Sequence, residues 1–64
     1  MNADAIRVGD LVNVKDHGLG VVAAKAQEVP GHGMYVPVRL NDFHSSVVTV
    51  PCDNVSPADE EQTT

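Results

Sequence analysis

No window of eleven residues in this chain places apolar side chains at helical spacing, and that most limits what it can fold into. The apolar runs are short, alternate in twos or are rich in β-branched residues, and end in glycine and proline. Asp10 to Lys15 sets Val12 and Val14 on one face against Asn13 and Lys15 on the other, the pattern of a half-buried strand. Asp16-His17-Gly18-Leu19-Gly20 then reads as a tight turn. A second strand is expected over Val21 to Ala26, with Val22, Ala24 and Ala26 inward and small enough for close sheet packing.

Glu28-Val29-Pro30-Gly31-His32-Gly33 reads as a loop, since Pro-Gly followed by a second glycine continues neither strand nor helix comfortably. Met34 to Leu40 alternates again, with Val36, Val38 and Leu40 inward and Tyr35, Pro37 and Arg39 outward. Pro37 lacks an amide hydrogen, which predicts a free edge or a bulge. Asn41 to Ser45 is a polar turn with one aromatic, and Val47 to Val50 a β-branched strand ended by Pro51. A single 3₁₀ turn over Pro51 to Asn54 leaves Val55 to begin a very short last strand. Four strands and a fifth stub predict an all-β fold, a small five-stranded SH3-like barrel whose closure hides edges that a small open sheet leaves exposed. The domain spans residues 6–56, between an N-terminal arm at 1–5 and an acidic, disordered tail at 57–64.

Sixty-four residues form one domain, which buries only about 60% of its unfolded surface and is marginally stable. Cys52 is the only cysteine, so no intrachain disulfide reinforces the core. That fits a reducing compartment. An acidic amino end without an apolar run, and no stretch near the roughly 20 apolar residues of a membrane helix, predict a soluble cytoplasmic protein. It is expected as a monomer or a small homo-oligomer. The formal net charge is −5, but between Ile6 and Ser56 five acids face four bases, leaving −1. The acidity lies in the ends. Arg7, Lys15, Lys25 and Arg39 are too few and too scattered for the phosphate contacts of a duplex binder, so nucleic acid is not the expected partner.

The strongest local motif is Gly9-Asp10-x-Val12-x-Val14 followed by Gly18-x-Gly20-x-Val22: a strand, a glycine turn and a returning strand. An acid stands at the start of it, able to bind turn amides. A phosphate cradle would need a helix terminus and usually a lysine, and the motif has neither. Val8-Gly9-Asp10-Leu11-Val12 and His17-Gly18-Leu19-Gly20-Val21-Val22 resemble the start of the RNA polymerase-interacting domain of the CarD family. The transcription-repair coupling factor contains the same Tudor-like module. Tyr35 to Leu40 and Val50-Pro51 fall where the later strands of that domain would lie, so the resemblance spans Ile6 to Val55. KOW domains begin similarly, and the photosystem I subunit PsaE has a strand similar to Tyr35-Val36-Pro37-Val38-Arg39. The sequence has no counterpart of the helical DNA-contacting domain that follows in CarD proteins. The resemblance therefore implies docking on RNA polymerase, with a photosystem-like peripheral subunit as the alternative.

A catalytic alternative is the type II dihydrofolate reductase, a small tetrameric barrel whose pore strand, Val-Gln-Ile-Tyr, corresponds here to Val47-Val48-Thr49-Val50. The Gln and the Tyr are missing, and with them the donors for nicotinamide and pterin. No catalytic residue and no cofactor are expected. His17, His32, His44 and Cys52 lack the close ligand pairs of a structural zinc site, and no orienting partner for a Cys52 nucleophile is visible.

Tyr35 and Phe43 are the only aromatics, and there is no Trp. Two aromatics do not line a proline-peptide groove, form a methyl-lysine cage or stack a run of bases. Strand addition at an edge, or an apolar patch with a polar rim, remains. Tyr35, Pro37 and Arg39, outward on an expected edge strand, are the candidate partner-binding residues.

Overall fold

A computed structural model describes residues 3–58. The order is a 3₁₀ turn (Ala3–Ala5), β1 (Leu11–Val14), β2 (Gly18–Val22), β3 (Gln27–Val29), β4 (Gly33–Leu40), β5 (Val47–Pro51), a second 3₁₀ turn (Cys52–Asn54) and β6 (Val55–Pro57). The fold is all-β, with six strands in one antiparallel sheet rather than the expected five. The sheet curls into a half-barrel. No helix among the described residues is long and apolar enough to cross a membrane.

β4 is the shared strand. Its first residues pair with β3 (Gln27↔Tyr35, Val29↔Gly33), and its last with β2 on the same flank (Val22↔Val38, Gly20↔Leu40). β5 covers the other flank from Tyr35↔Pro51 to Arg39↔Val47. β2 continues to β1, and β1 takes the last strand, β6, as its second neighbour (Val14↔Val55, Val12↔Pro57).

β4 is therefore not an edge strand, and Pro37 has another role. A residue in a strand directs its N–H and C=O to the same side. The Pro37 carbonyl accepts the Ala23 amide at 2.9 Å, so its nitrogen also faces the β2 flank. Having no hydrogen, it cannot return the bond, and the β2 ladder stops at Val22. Residues 24–26 bulge out opposite Val36 before β3 resumes the pairing. This corrects the expected strand over Val21 to Ala26: Ala24 is exposed, and Ala26 only half-buried against the core. The loop expected from Glu28 is shorter. Gln27–Val29 is a strand, and the chain reverses at Pro30-Gly31, with Gly31 at φ 81° and the His32 amide donating to the Val29 carbonyl.

The core is built mainly of valine. Val12, Val14, Val22, Val36, Val38 and Val55 are fully buried, joined by Ile6, Leu40, Val50, Cys52 and Ala58. Val48, expected inside, is half-buried and packs on the cluster. Ile6, Cys52, Val55 and Ala58 were not among the expected core residues. The ordered body runs past residue 56: Pro57 pairs with Val12, and the Ala58 amide donates to the Leu11 carbonyl at 3.2 Å. The rest of the expected tail, 59–64, lies outside the described residues. Within the expected N-terminal arm, Ala3 packs against the core and accepts the Ile6 amide.

Two carboxylates fix the turns. Asp10 accepts the Arg7 amide at 2.9 Å, the role expected of it. Asp42 accepts the amides of His44 and Ser46, organising the loop between β4 and β5. Gly18 is a turn residue with φ 91°, as expected, while Gly20 lies inside β2 facing the core.

Candidate functional site

The registers put a row of side chains across four strands on the outer face. Leu11 of β1 stands opposite Val21 of β2, Val21 opposite Arg39 of β4, and Arg39 opposite Val47 of β5. All four are exposed, Val47 at 54%. The rule that alternate residues share a face makes this row unavoidable, because their neighbours Val12, Val22, Val38 and Val48 point into the core or pack on it. Leu19, also exposed, extends the apolar surface toward Asn41, whose amide donates to the Leu19 carbonyl. Arg39 stands in the middle of the row, and no ion pair or side-chain hydrogen bond engages it among the described residues.

Tyr35, Pro37 and Arg39 do share this outer face, Tyr35 and Pro37 half-buried and Arg39 exposed. Strand addition to β4 is ruled out by its two occupied flanks. Contact through the face remains. Of the apolar residues that make it a surface, Leu11, Val21 and Val47 fall on the outward halves of the expected strands, whereas Leu19 was read as part of a turn and lies in β2. Phe43 was passed over as a turn aromatic. It is 95% exposed in the β4–β5 loop, touched edge-on by the His44 ring with centroids 5.2 Å apart. Leu40, where that loop begins, lies about 17 Å along β4 from Tyr35, so the two aromatics do not combine into a single binding cage.

Two shallow grooves, of about 290 and 260 Å³, flank Met34 where the first 3₁₀ turn meets the β3–β4 hairpin. The first has His32, Cys52 and Asp53 among its lining residues, a neighbourhood the sequence did not show. Cys52 is nevertheless a core side chain. Burial pushes its thiol above the ordinary range, and the Asp53 carboxylate adds to the shift, opposite to what a nucleophilic thiolate needs. A thiol reagent at neutral pH is expected to label Cys52 about 100-fold or more slowly in the native protein than in urea, because reaction waits for opening. Equal rates would show the thiol exposed. The native thiol also keeps its proton to higher pH than the unfolded chain's does. Stability should therefore be level below the ordinary thiol range near pH 8.5 and fall as pH rises through it.

Among the described residues, no three His, Cys, Asp or Glu side chains come together as a metal site. His17, His32 and His44 are exposed, each in or beside a turn. Compared with known protein families, curated proteins and solved structures, the chain finds no match.

Proposed function

We propose that this chain is a non-catalytic binding module that docks on a larger protein assembly through the outer face of β1, β2, β4 and β5. The row Leu11–Val21–Arg39–Val47 carries the proposal: three exposed apolar side chains around an arginine, fixed in place by strand pairing. An apolar centre with an Arg anchor and polar surroundings is the composition that protein interfaces favour. Rigid strands hold it, so little ordering entropy opposes binding.

RNA polymerase is the first partner to test, on the strength of the CarD-like sequence from Val8 to Val22. Binding of the purified polymerase of the native host is expected to weaken about 30-fold with Arg39→Ala or Val21→Asp, the roughly 2 kcal/mol of an interface hot spot. Both side chains point away from the core, so the melting temperature should move little. Unchanged binding in both variants would overturn the proposed face. No binding by the wild-type chain would overturn the polymerase.

A further inference from the structure

Among the described residues β5 pairs only with β4, and no strand lies along its other side. The Pro37 carbonyl is turned toward β2, so Pro37↔Thr49 is a pair without mutual hydrogen bonds. Thr49, and with it Val47 and Pro51, must direct its main-chain groups outward, while Val48 and Val50 bond to β4. The Leu40 amide, bonded to the Ser46 carbonyl at 2.6 Å, fixes the same phase. The outward edge thus offers two N–H donors, of Val47 and Thr49, and three C=O acceptors, of Val47, Thr49 and Pro51.

Within β5 itself only Pro51, at its end, guards this edge. Val47-Val48-Thr49-Val50 is β-branched throughout, uncharged and without a bulge, whereas natural edges are usually blunted by charge, proline or distortion. We infer that β5 pairs antiparallel with β5 of a second copy, about a two-fold axis through Thr49. In that register Thr49 faces its own equivalent and the two exchange both bonds. Val47 stands opposite the partner's Pro51 and donates to its carbonyl. All the outward donors are used, and the missing Pro51 hydrogen faces only the Val47 carbonyl at the end of the ladder.

Side chains match as well. Val48 meets the partner's Val50 on the inner face, and Thr49 meets the partner's Thr49 on the outer one, a favourable cross-strand pair. A slip of one residue would turn core-facing valines outward. A slip of two would shorten the overlap from five residues to three and run Pro51 into the loop at Ser45, where φ is 52°. No charge lies on β5, and the chain's net charge of −5 lies mostly at its two ends, with only −1 between Ile6 and Ser56, so no like charges face each other across the paired strands. The occupant is a second copy because the edge complements itself.

Sedimentation equilibrium over micromolar to millimolar concentrations is expected to show the wild-type chain passing from its 6.8 kDa mass to twice that. Thr49→Pro removes an amide that the monomer does not use and fills the edge with a ring. It should stay monomeric at every concentration, with the circular dichroism of a folded sheet. Thr49→Lys repels its own equivalent across the axis and should weaken dimerisation at least 10-fold even if the proline variant fails to fold. In the wild type, hydrogen exchange at the Val47 and Thr49 amides should slow as concentration rises, while exchange at Val48 and Val50 stays unchanged. A wild type monomeric throughout overturns the inference. So does a dimer that survives both Thr49 substitutions and is broken by Val21→Asp, because the outer face would then be what two copies share.

Discussion

Gly20→Ala is expected to cost at least about 3 kcal/mol and to leave the chain largely unfolded at room temperature. The added methyl would lie 2.6 Å from Val38 Cγ1 and 2.8 Å from the Arg39 carbonyl oxygen. The first contact is with a stiff, fully buried valine, and the second is with main chain in the middle of the sheet. β2 cannot back away without breaking the Val21↔Arg39 and Val22↔Val38 pairs on which the half-barrel is hung. A 64-residue domain has roughly 3–9 kcal/mol of stability in all, so the loss takes most of it. Urea titration followed by circular dichroism measures it. Gly18→Ala is the control: at φ 91° with nothing near its Cβ, it should cost only about 1 kcal/mol, from backbone strain. A Gly20→Ala protein melting within a few degrees of wild type would show that the sheet yields where the contacts say it cannot.

Val38→Ala should cost about 2–3 kcal/mol, by lost burial and by the cavity left in a tightly packed core. Val38 is fully buried and flanked by Val22 of β2 and Val48 of β5, so nothing nearby collapses easily into the space. The two sites are coupled. Val38 Cγ1 is the nearest atom to a Cβ at Gly20, so the double substitution Gly20→Ala with Val38→Ala should cost less than the two single costs added. The shortfall, about 0.5–1 kcal/mol, measures the side-chain part of the clash, and what remains belongs to the Arg39 carbonyl. Strict additivity would mean that the methyl never meets Val38. Arg39→Ala, one residue on, should leave the melt unchanged, because its side chain stands on the other face.

The alternation was readable wherever one face is buried and the other wet. Val12 and Val14, and Val36, Val38 and Leu40, were assigned inward from spacing alone and are inward. The 3₁₀ turn at Cys52–Asn54 followed from Pro51 and the short stretch left before Val55. What failed was the reading of which strand lies beside which. Pro37 was correctly read as a missing donor, but local sequence does not say on which flank the gap falls. It falls inside the sheet, ending β2, and not at an edge. Gly20 looked like a second turn glycine because proximity to Gly18 carries no information about a carbonyl arriving from β4. The outer row suffered similarly: Leu11, Val21, Arg39 and Val47 are far apart in the chain, and only the registers line them up. Ala58 was placed in the tail on composition, which cannot anticipate one small apolar residue caught by the end of β1.

Pairing the first strand with the last sets the order in which the protein can be made. β1 and β2 form a local hairpin, and β4 and β5 another, so each can form early from neighbouring residues. Val14 meets Val55, and Val12 meets Pro57, only by closing a loop of some forty residues, an entropic cost met late. A nascent chain still lacking the residues after Asn54 therefore holds β1 with one side bare and the core open beside Val14. Long-range closure of this kind slows all-β folding toward milliseconds to seconds. Until the residues after Asn54 reach it, β1 stands as a bare margin beside the open core, and afterwards β6 takes over that margin with the core closed behind it.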